Sequence, residues 1–176
     1  MEIKINDFIT DDEVKFFRDY CRFAISNPSK QVSLKVKKEY QFVDRLYYSI
    51  NSPFSIFDRV RKIAEKNCKV PITFREDAYA HIMRYKEGSK GLGMHADQNL
   101  GWVSASINLT HPSECIGGEF RFKNSLITST YKSLVMYDYT VMHQVTPVTK
   151  GEKWSLVLWL PKKGQKVSGG KTWRFK

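Results

Sequence analysis

Apolar and polar positions follow two rhythms along this chain, and the rhythm changes near Tyr79. Ahead of that point, two stretches carry apolar residues at helical spacing. Val14, Phe17, Tyr20, Cys21 and Ala24 define the first, which Thr10-Asp11-Asp12-Glu13 opens as a reciprocal cap and Ser26-Asn27-Pro28-Ser29 closes. Phe54, Phe57, Val60, Ile63 and Ala64 define one face of the second. Ser52-Pro53 supplies its cap and a proline at the first helical position, and it ends near Asn67-Cys68, ahead of Pro71. A short apolar stretch, Ile3, Ile5, Phe8 and Ile9, precedes the first helix. Residues 31–50 are strand-like, with Val32, Leu34 and Val36 alternating with Ser33, Lys35 and Lys37.

From Tyr79 onward the period is two. The pattern predicts strands at 78–85, 92–95, 103–109, 118–122, 126–130, 133–138, 141–147 and 153–160, punctuated by Gly88, Gly91, Gly93, Gly101, Pro112, Gly117-Gly118, Asn124 and Gly151. Two helices followed by about eight short strands imply a mainly β fold, a double-sheet barrel with a helical brace. A length of 176 residues fits one domain with a real core. Its parts are a helical and basic region at about 1–77, a β core at about 78–161 and a basic tail at 162–176.

Composition narrows the class. Hydrophobic residues at 41% and aromatics at 14% exclude a disordered chain. The net charge of +11, from 29 basic against 18 acidic residues, favours acidic partners, nucleic acid among them, or is spread as solubilising surface charge. Lys30, Lys35, Lys37 and Lys38 form the densest basic cluster before the tail and read either as a lysine-protected edge strand or as a substrate-facing patch. Cys21, Cys68 and Cys115 are odd in number and lie outside any zinc spacing, which fits a reduced, intracellular (cytoplasmic), soluble protein. The amino-terminal stretch lacks a signal-peptide apolar core, and no apolar run approaches the ~20 residues of a membrane span.

The chemistry gathers between His95 and Ser155. In His95-Ala96-Asp97 the i and i+2 side chains of an extended segment fall on one side, so imidazole and carboxylate can share one metal ion. His143 lies in a later strand that a rolled sheet can bring across. Two histidines and one carboxylate make the facial set that suits Fe(II) and leaves positions for a chelating co-substrate and O2. Lys153 and Ser155 follow on one side of their strand, a cation and a hydroxyl able to hold a distal carboxylate. A buried, unpaired lysine is costly, so an anionic partner is expected there.

These residues stand in an order that resembles the iron(II)- and 2-oxoglutarate-dependent dioxygenases, most closely their prolyl 4-hydroxylase-like branch. The resemblance rests on Arg84-Tyr85 with Gly88, on His95 and Asp97, on Gly117-Gly118-Glu119-Phe120, and on His143-Gln144-Val145-Thr146-Pro147-Val148 with Gly151 and Lys153. It covers about residues 78–161, and Asn6 to Glu13 resembles the family's approach to its first helix. It implies a double-stranded β-helix (jelly-roll) core with the amino-terminal helices packed on one sheet. It implies that His95, Asp97 and His143 ligate Fe(II), that Lys153 with Ser155 pairs with the C5 carboxylate of 2-oxoglutarate, and that Tyr85 bonds the co-substrate. The family's tyrosine ahead of a Leu-Asn pair is replaced here by Asn108, whose amide is a candidate co-substrate donor. The implied reaction couples decarboxylation of 2-oxoglutarate, giving succinate and CO2, to hydroxylation by O2, with ascorbate as a plausible helper. Asp97 favours hydroxylation over halogenation, which would leave that ligand position to chloride.

Other residues are less decisive. His81 shares a strand face with Met83 and Tyr85 and reads as a satisfied core histidine, with cavity lining as the alternative. His111 reads as loop surface. Asp138-Tyr139 reads as a turn or as support for His143. Trp102 either covers substrate or packs into the sheet. For substrate, the resemblance favours a peptide or protein, hydroxylated at proline; the charge keeps open a nucleic-acid oxygenase or demethylase using the same iron centre.

Overall fold

The computed structural model describes residues 1–26, 43–49, 56–72, 79–98 and 100–165. The basic segment 30–38, the Ser52-Pro53 helix start and the tail beyond residue 165 lie outside them. Helix α1 (Asp11–Ser26) begins as its cap predicts. The Thr10 N–H donates to Glu13 Oε2 at 3.0 Å and the Glu13 N–H donates to Thr10 Oγ1 at 3.2 Å, satisfying two otherwise orphaned ends. Helix α2 (Ile56–Cys68) buries Ile56, Phe57, Val60 and Ala64. Arg59 ties the two together by pairing with Glu13 and donating to the Phe8 carbonyl at 2.9 Å.

Among the described residues, ten strands make two antiparallel sheets. They are β1 (Glu2–Ile5), β2 (Val43–Ser49), β3 (Tyr79–Lys86), β4 (Leu92–His95), β5 (Val103–Asn108), β6 (Cys115–Gly117), β7 (Phe120–Phe122), β8 (Leu134–Asp138), β9 (His143–Val145) and β10 (Val148–Leu160). The large sheet runs β1-β8-β5-β10-β3-β2, with β6 paired to the first part of β10; the small sheet runs β4-β9-β7.

The period of two sends alternate residues of the large sheet to two different cores. Ile82, Ala105, Ile107, Leu134, Met136, Trp154, Leu156 and Leu158 point to the helices and pack with Val14, Phe17, Ile56, Phe57 and Val60. Met83, Tyr85, Val135 and Tyr137 point the other way and pack with Phe120, Phe122 and Val145 of the small sheet. Trp154 is wholly buried on the helix side, which turns its neighbours Lys153 and Ser155 into the space between the sheets. The mainly β jelly-roll with a helical brace is therefore the observed architecture.

Several strand expectations need correcting. Residues 126–130 are not a strand; only an isolated bridge, Arg121 to Thr128, remains there. The expected strand 118–122 shortens to β7, because Gly117 and Gly118, both at positive φ, turn the chain from β6, which pairs with β10, to β7, which pairs with β9. The expected 141–147 shortens to β9, since the Val141 N–H donates to the Asp138 carbonyl in a turn and Pro147 cannot donate to a ladder. The last strand begins at Val148, not Lys153. The apolar opening is itself β1, edge-paired with β8 through Glu2 to Tyr137 and Ile5 to Leu134. No helix among the described residues is long and apolar enough to cross a membrane.

Candidate metal centre and anion pocket

His95 and His143 are Cα partners in the β4–β9 ladder, with ring centroids 4.3 Å apart. Asp97 follows directly after β4. The potential ligand atoms of His95, Asp97 and His143 all lie within 4.8 Å of one another, so the three could hold one metal ion. Each histidine Nε2 lies 3.7 Å from a different oxygen of Asp97: His95 from Oδ1, His143 from Oδ2.

Backbone carbonyls set both imidazoles. His95 Nδ1 meets the Gly93 carbonyl at 2.8 Å, and His143 Nδ1 meets the Val141 carbonyl at 2.9 Å. A carbonyl only accepts, so each Nδ1 carries the proton and each Nε2 presents a lone pair toward Asp97. Burial lowers the His143 pKa below the usual imidazole range, with His95 adding to the effect, although the Val141 carbonyl and Asp97 oppose it. The ring is thus kept in its neutral, ligating form. Asp97 is 3% exposed, and among the described residues its charge-bearing neighbours are these two histidines, with no Lys or Arg. A buried carboxylate faced by two imidazole lone pairs is the donor set of a divalent cation, and it fits Fe(II).

The complementary charge sits on the facing sheet. Lys153 is 5% exposed and, among the described residues, has no carboxylate partner. Its ammonium donates to Asn108 Oδ1 at 2.5 Å. Burial pulls its pKa down to about 8, partly offset by Cys115 and Glu119. Lys153 is the Cα partner of Tyr85 on β3, and Ser155 is the partner of Asn108 on β5 and of Met83 on β3. The four residues named for the co-substrate, Lys153, Ser155, Tyr85 and Asn108, therefore form one buried cluster on three adjacent strands. Gly118 passes over the Lys153 stem at φ +68°, and a Cβ there would lie 2.9 Å from Lys153 Cβ. That close approach is the physical reason for the second glycine of the Gly117-Gly118-Glu119 stretch.

The remaining residues sort themselves by face. His81 is buried with its ring edge-on to Trp159 at 4.5 Å. His111 is exposed and caps a 3-10 turn, Pro112–Glu114, by accepting from the Ser113 N–H. Asp138 Oδ1 accepts from the Thr140 N–H at 3.0 Å and its hydroxyl at 2.9 Å, so Asp138 serves the turn. Trp102 packs against the helix-side core and on Tyr139, under Lys162, which removes it as a substrate cover.

One residue at the centre was not among the expected ones. Tyr137 is wholly enclosed, and its hydroxyl lies 3.3 Å from Asp97 Oδ2 and 3.2 Å from His143 Nε2. Burial and then the charge of Asp97 raise its pKa well above the usual phenol range, so it remains a protonated donor. The alternation of β8 places Tyr137 on the same face as Val135, which was a readable signal, but nothing local marked that face as the site.

Residues 80–161 match the model of the 2OG-Fe(II) oxygenase superfamily. A PKHD-type hydroxylase of Cupriavidus metallidurans is 35% identical over 83 residues, covering 45% of this chain and 34% of that protein. The chain spans roughly a third to a half of the length of such curated relatives, from 34% to 50%. Among solved structures, a Pseudomonas putida prolyl-4-hydroxylase superposes with TM-score 0.71 at 17% identity, covering 93% of each chain. A Trichoplax adhaerens prolyl hydroxylase, in complex with a hypoxia inducible factor oxygen degradation domain peptide fragment, superposes with TM-score 0.70 at 13% identity, covering 96% of this chain and 87% of that one. Through residues 80–161 the chain is similar to the 2OG-Fe(II) oxygenase superfamily, and its fold is that of the prolyl 4-hydroxylases that superpose on it.

Proposed function

We propose that this protein is an Fe(II)- and 2-oxoglutarate-dependent hydroxylase acting on a peptide or protein, at proline. The observation that carries this reading is a pair of unmatched buried charges facing each other across the two sheets: Asp97 with its two imidazoles, and Lys153 with its amide partner. Each is costly alone. Fe(II) neutralises the first, and the far carboxylate of a 2-oxo diacid neutralises the second.

In this reading His95, Asp97 and His143 hold the metal from one side, their tautomers set in advance by Gly93 and Val141. Lys153, with Ser155, grips the distal carboxylate and fixes which end of the co-substrate reaches the metal. Asn108 holds the ammonium in place, and Tyr85, the cross-strand partner of Lys153, completes that wall. Met83, Val135, Phe120 and Val148 keep the space between the sheets dry, which strengthens each charge contact. When bound, Fe(II) and 2-oxoglutarate together supply the oxidising power that places one atom of O2 in the substrate and the other in succinate, with loss of CO2.

The peptide assignment is supported by the peptide complex of the Trichoplax adhaerens neighbour and by the prolyl-4-hydroxylase name of the Pseudomonas putida neighbour. The competing substrate is nucleic acid, for which the +11 charge is the support. Incubation of the full chain with Fe(II), 2-oxoglutarate and either proline-rich peptides or oligonucleotides separates them by mass spectrometry. A peptide that gains one oxygen at proline is the expected product. Oxidised or demethylated bases with unmodified peptides would assign the other substrate.

A further inference from the structure

Tyr137 projects from β8 into the space between the sheets, its ring packed on Phe120 and Phe122 at 5.5 and 5.3 Å and on the His143 imidazole at 4.6 Å. The phenol makes the two oxygens of Asp97 inequivalent. Oδ2 has the Tyr137 hydroxyl at 3.3 Å, while Oδ1 faces His95 Nε2. The same hydroxyl lies 3.2 Å from His143 Nε2, but that atom is a candidate metal ligand. Once its lone pair is committed to a metal, Asp97 Oδ2 is the acceptor left to the phenol.

A carboxylate can ligate through one oxygen or through both. A hydrogen-bond donor fixed on one oxygen favours ligation through the other. We infer that Tyr137 is a positioning residue that restricts Asp97 to one-oxygen ligation, by donating to Oδ2 and leaving Oδ1 for the metal. The consequence is a count of open positions. With one oxygen from Asp97 and two imidazoles, an octahedral ion keeps three positions, enough for a two-atom chelate and O2. With both oxygens bound it keeps two, and the chelate fills them. The inference rests on the iron-site reading above and concerns a residue that reading does not use.

Water-proton relaxation of Mn(II) bound to the full chain counts exchangeable waters without any turnover. Wild type is expected to report three, falling to one when 2-oxoglutarate is added. Tyr137→Phe keeps the ring and loses only the hydroxyl; it should bind Mn(II) and lose about a third of the bound-water relaxivity. Tyr137→Leu, which also removes the ring, should show the same loss, because the hydroxyl is what matters. Wild-type relaxivity in Tyr137→Phe with a loss in Tyr137→Leu alone would reduce Tyr137 to packing and overturn the inference. A gain of water in Tyr137→Phe would overturn it differently, by making the phenol itself a ligand. No residual water in the wild-type 2-oxoglutarate complex overturns it without recourse to a variant. Failure of wild type to bind Mn(II) at all would remove the metal site and this inference together.

Discussion

Lys153 and Asn108 meet between strands β10 and β5, the ammonium donating to the amide oxygen at 2.5 Å in a site closed to solvent. The same oxygen accepts from the Thr110 N–H at 2.9 Å, so the amide plane is fixed before any ligand arrives. A cation is thus held, oriented and desolvated, with a neutral amide as its partner among the described residues. That arrangement favours an anion strongly and makes the cation's own proton easier to lose.

The first consequence is a pH limit on co-substrate affinity. Burial brings Lys153 down to about 8, and the co-substrate carboxylate pairs with the protonated form. Below that pH the free protein already holds the proton, so affinity is flat; above it the proton must be taken up on binding, and affinity falls as pH rises. Calorimetric titration of 2-oxoglutarate into the metal-loaded protein from about pH 7 to about pH 9.5 reads this directly. Lys153→Arg, which does not titrate in that range, should abolish the slope.

The second concerns stability without ligand. The folded pKa of about 8 lies below the ordinary 10.5, so the unfolded chain binds this proton more tightly. The penalty is fully present below pH 8 and is relieved as the pH rises toward 10.5. Lys153→Met should therefore stabilise the ligand-free protein at neutral pH, by as much as about 3 kcal/mol in urea unfolding. It should also weaken 2-oxoglutarate binding by at least about 30-fold.

Asn108→Asp places a counterion where the amide now sits. The protein should become more heat-stable, while 2-oxoglutarate affinity drops by about tenfold or more, because the new carboxylate competes for Lys153. A thermal melt and a titration on the same sample check both. Unchanged affinity would detach this pair from the anion pocket.

Gly118→Ala tests the cover over Lys153. A side chain at φ +68° is strained and its Cβ meets the lysine stem at 2.9 to 3.1 Å. The variant should lose about 1–2 kcal/mol of stability and bind 2-oxoglutarate several-fold more weakly, yet bind Mn(II) as wild type does. A parallel loss of Mn(II) binding would mean the damage spreads beyond the pocket.

Much of this site was legible because its residues carry chemistry in their types and order. His95 and Asp97 share a side by simple alternation, and Lys153 and Ser155 do the same. The Thr10–Glu13 cap could be read for a similar reason, since both halves of the interaction lie within one turn. Tyr137 could not be singled out, because its role depends on the small sheet folding over β8, a long-range event with no local mark. The strand at β1 was missed because four residues of mixed polarity acquire their state only by pairing with β8. The misplaced start of β10 has a comparable cause: Gly151 reads locally as a break, yet the strand continues through it because β6 pairs with that part of it.

The central claim is that Fe(II) and 2-oxoglutarate bind together in one site made by the two facing clusters. An Fe(II) ion chelated by a 2-oxo acid absorbs visible light, whereas neither component does so alone. Anaerobic addition of Fe(II) and 2-oxoglutarate to the full chain should produce that band. It should be absent from Asp97→Ala and His143→Ala, and should demand far more 2-oxoglutarate in Lys153→Met. A wild-type protein that gives no band with both components, and no heat on titration with either, would contradict the account.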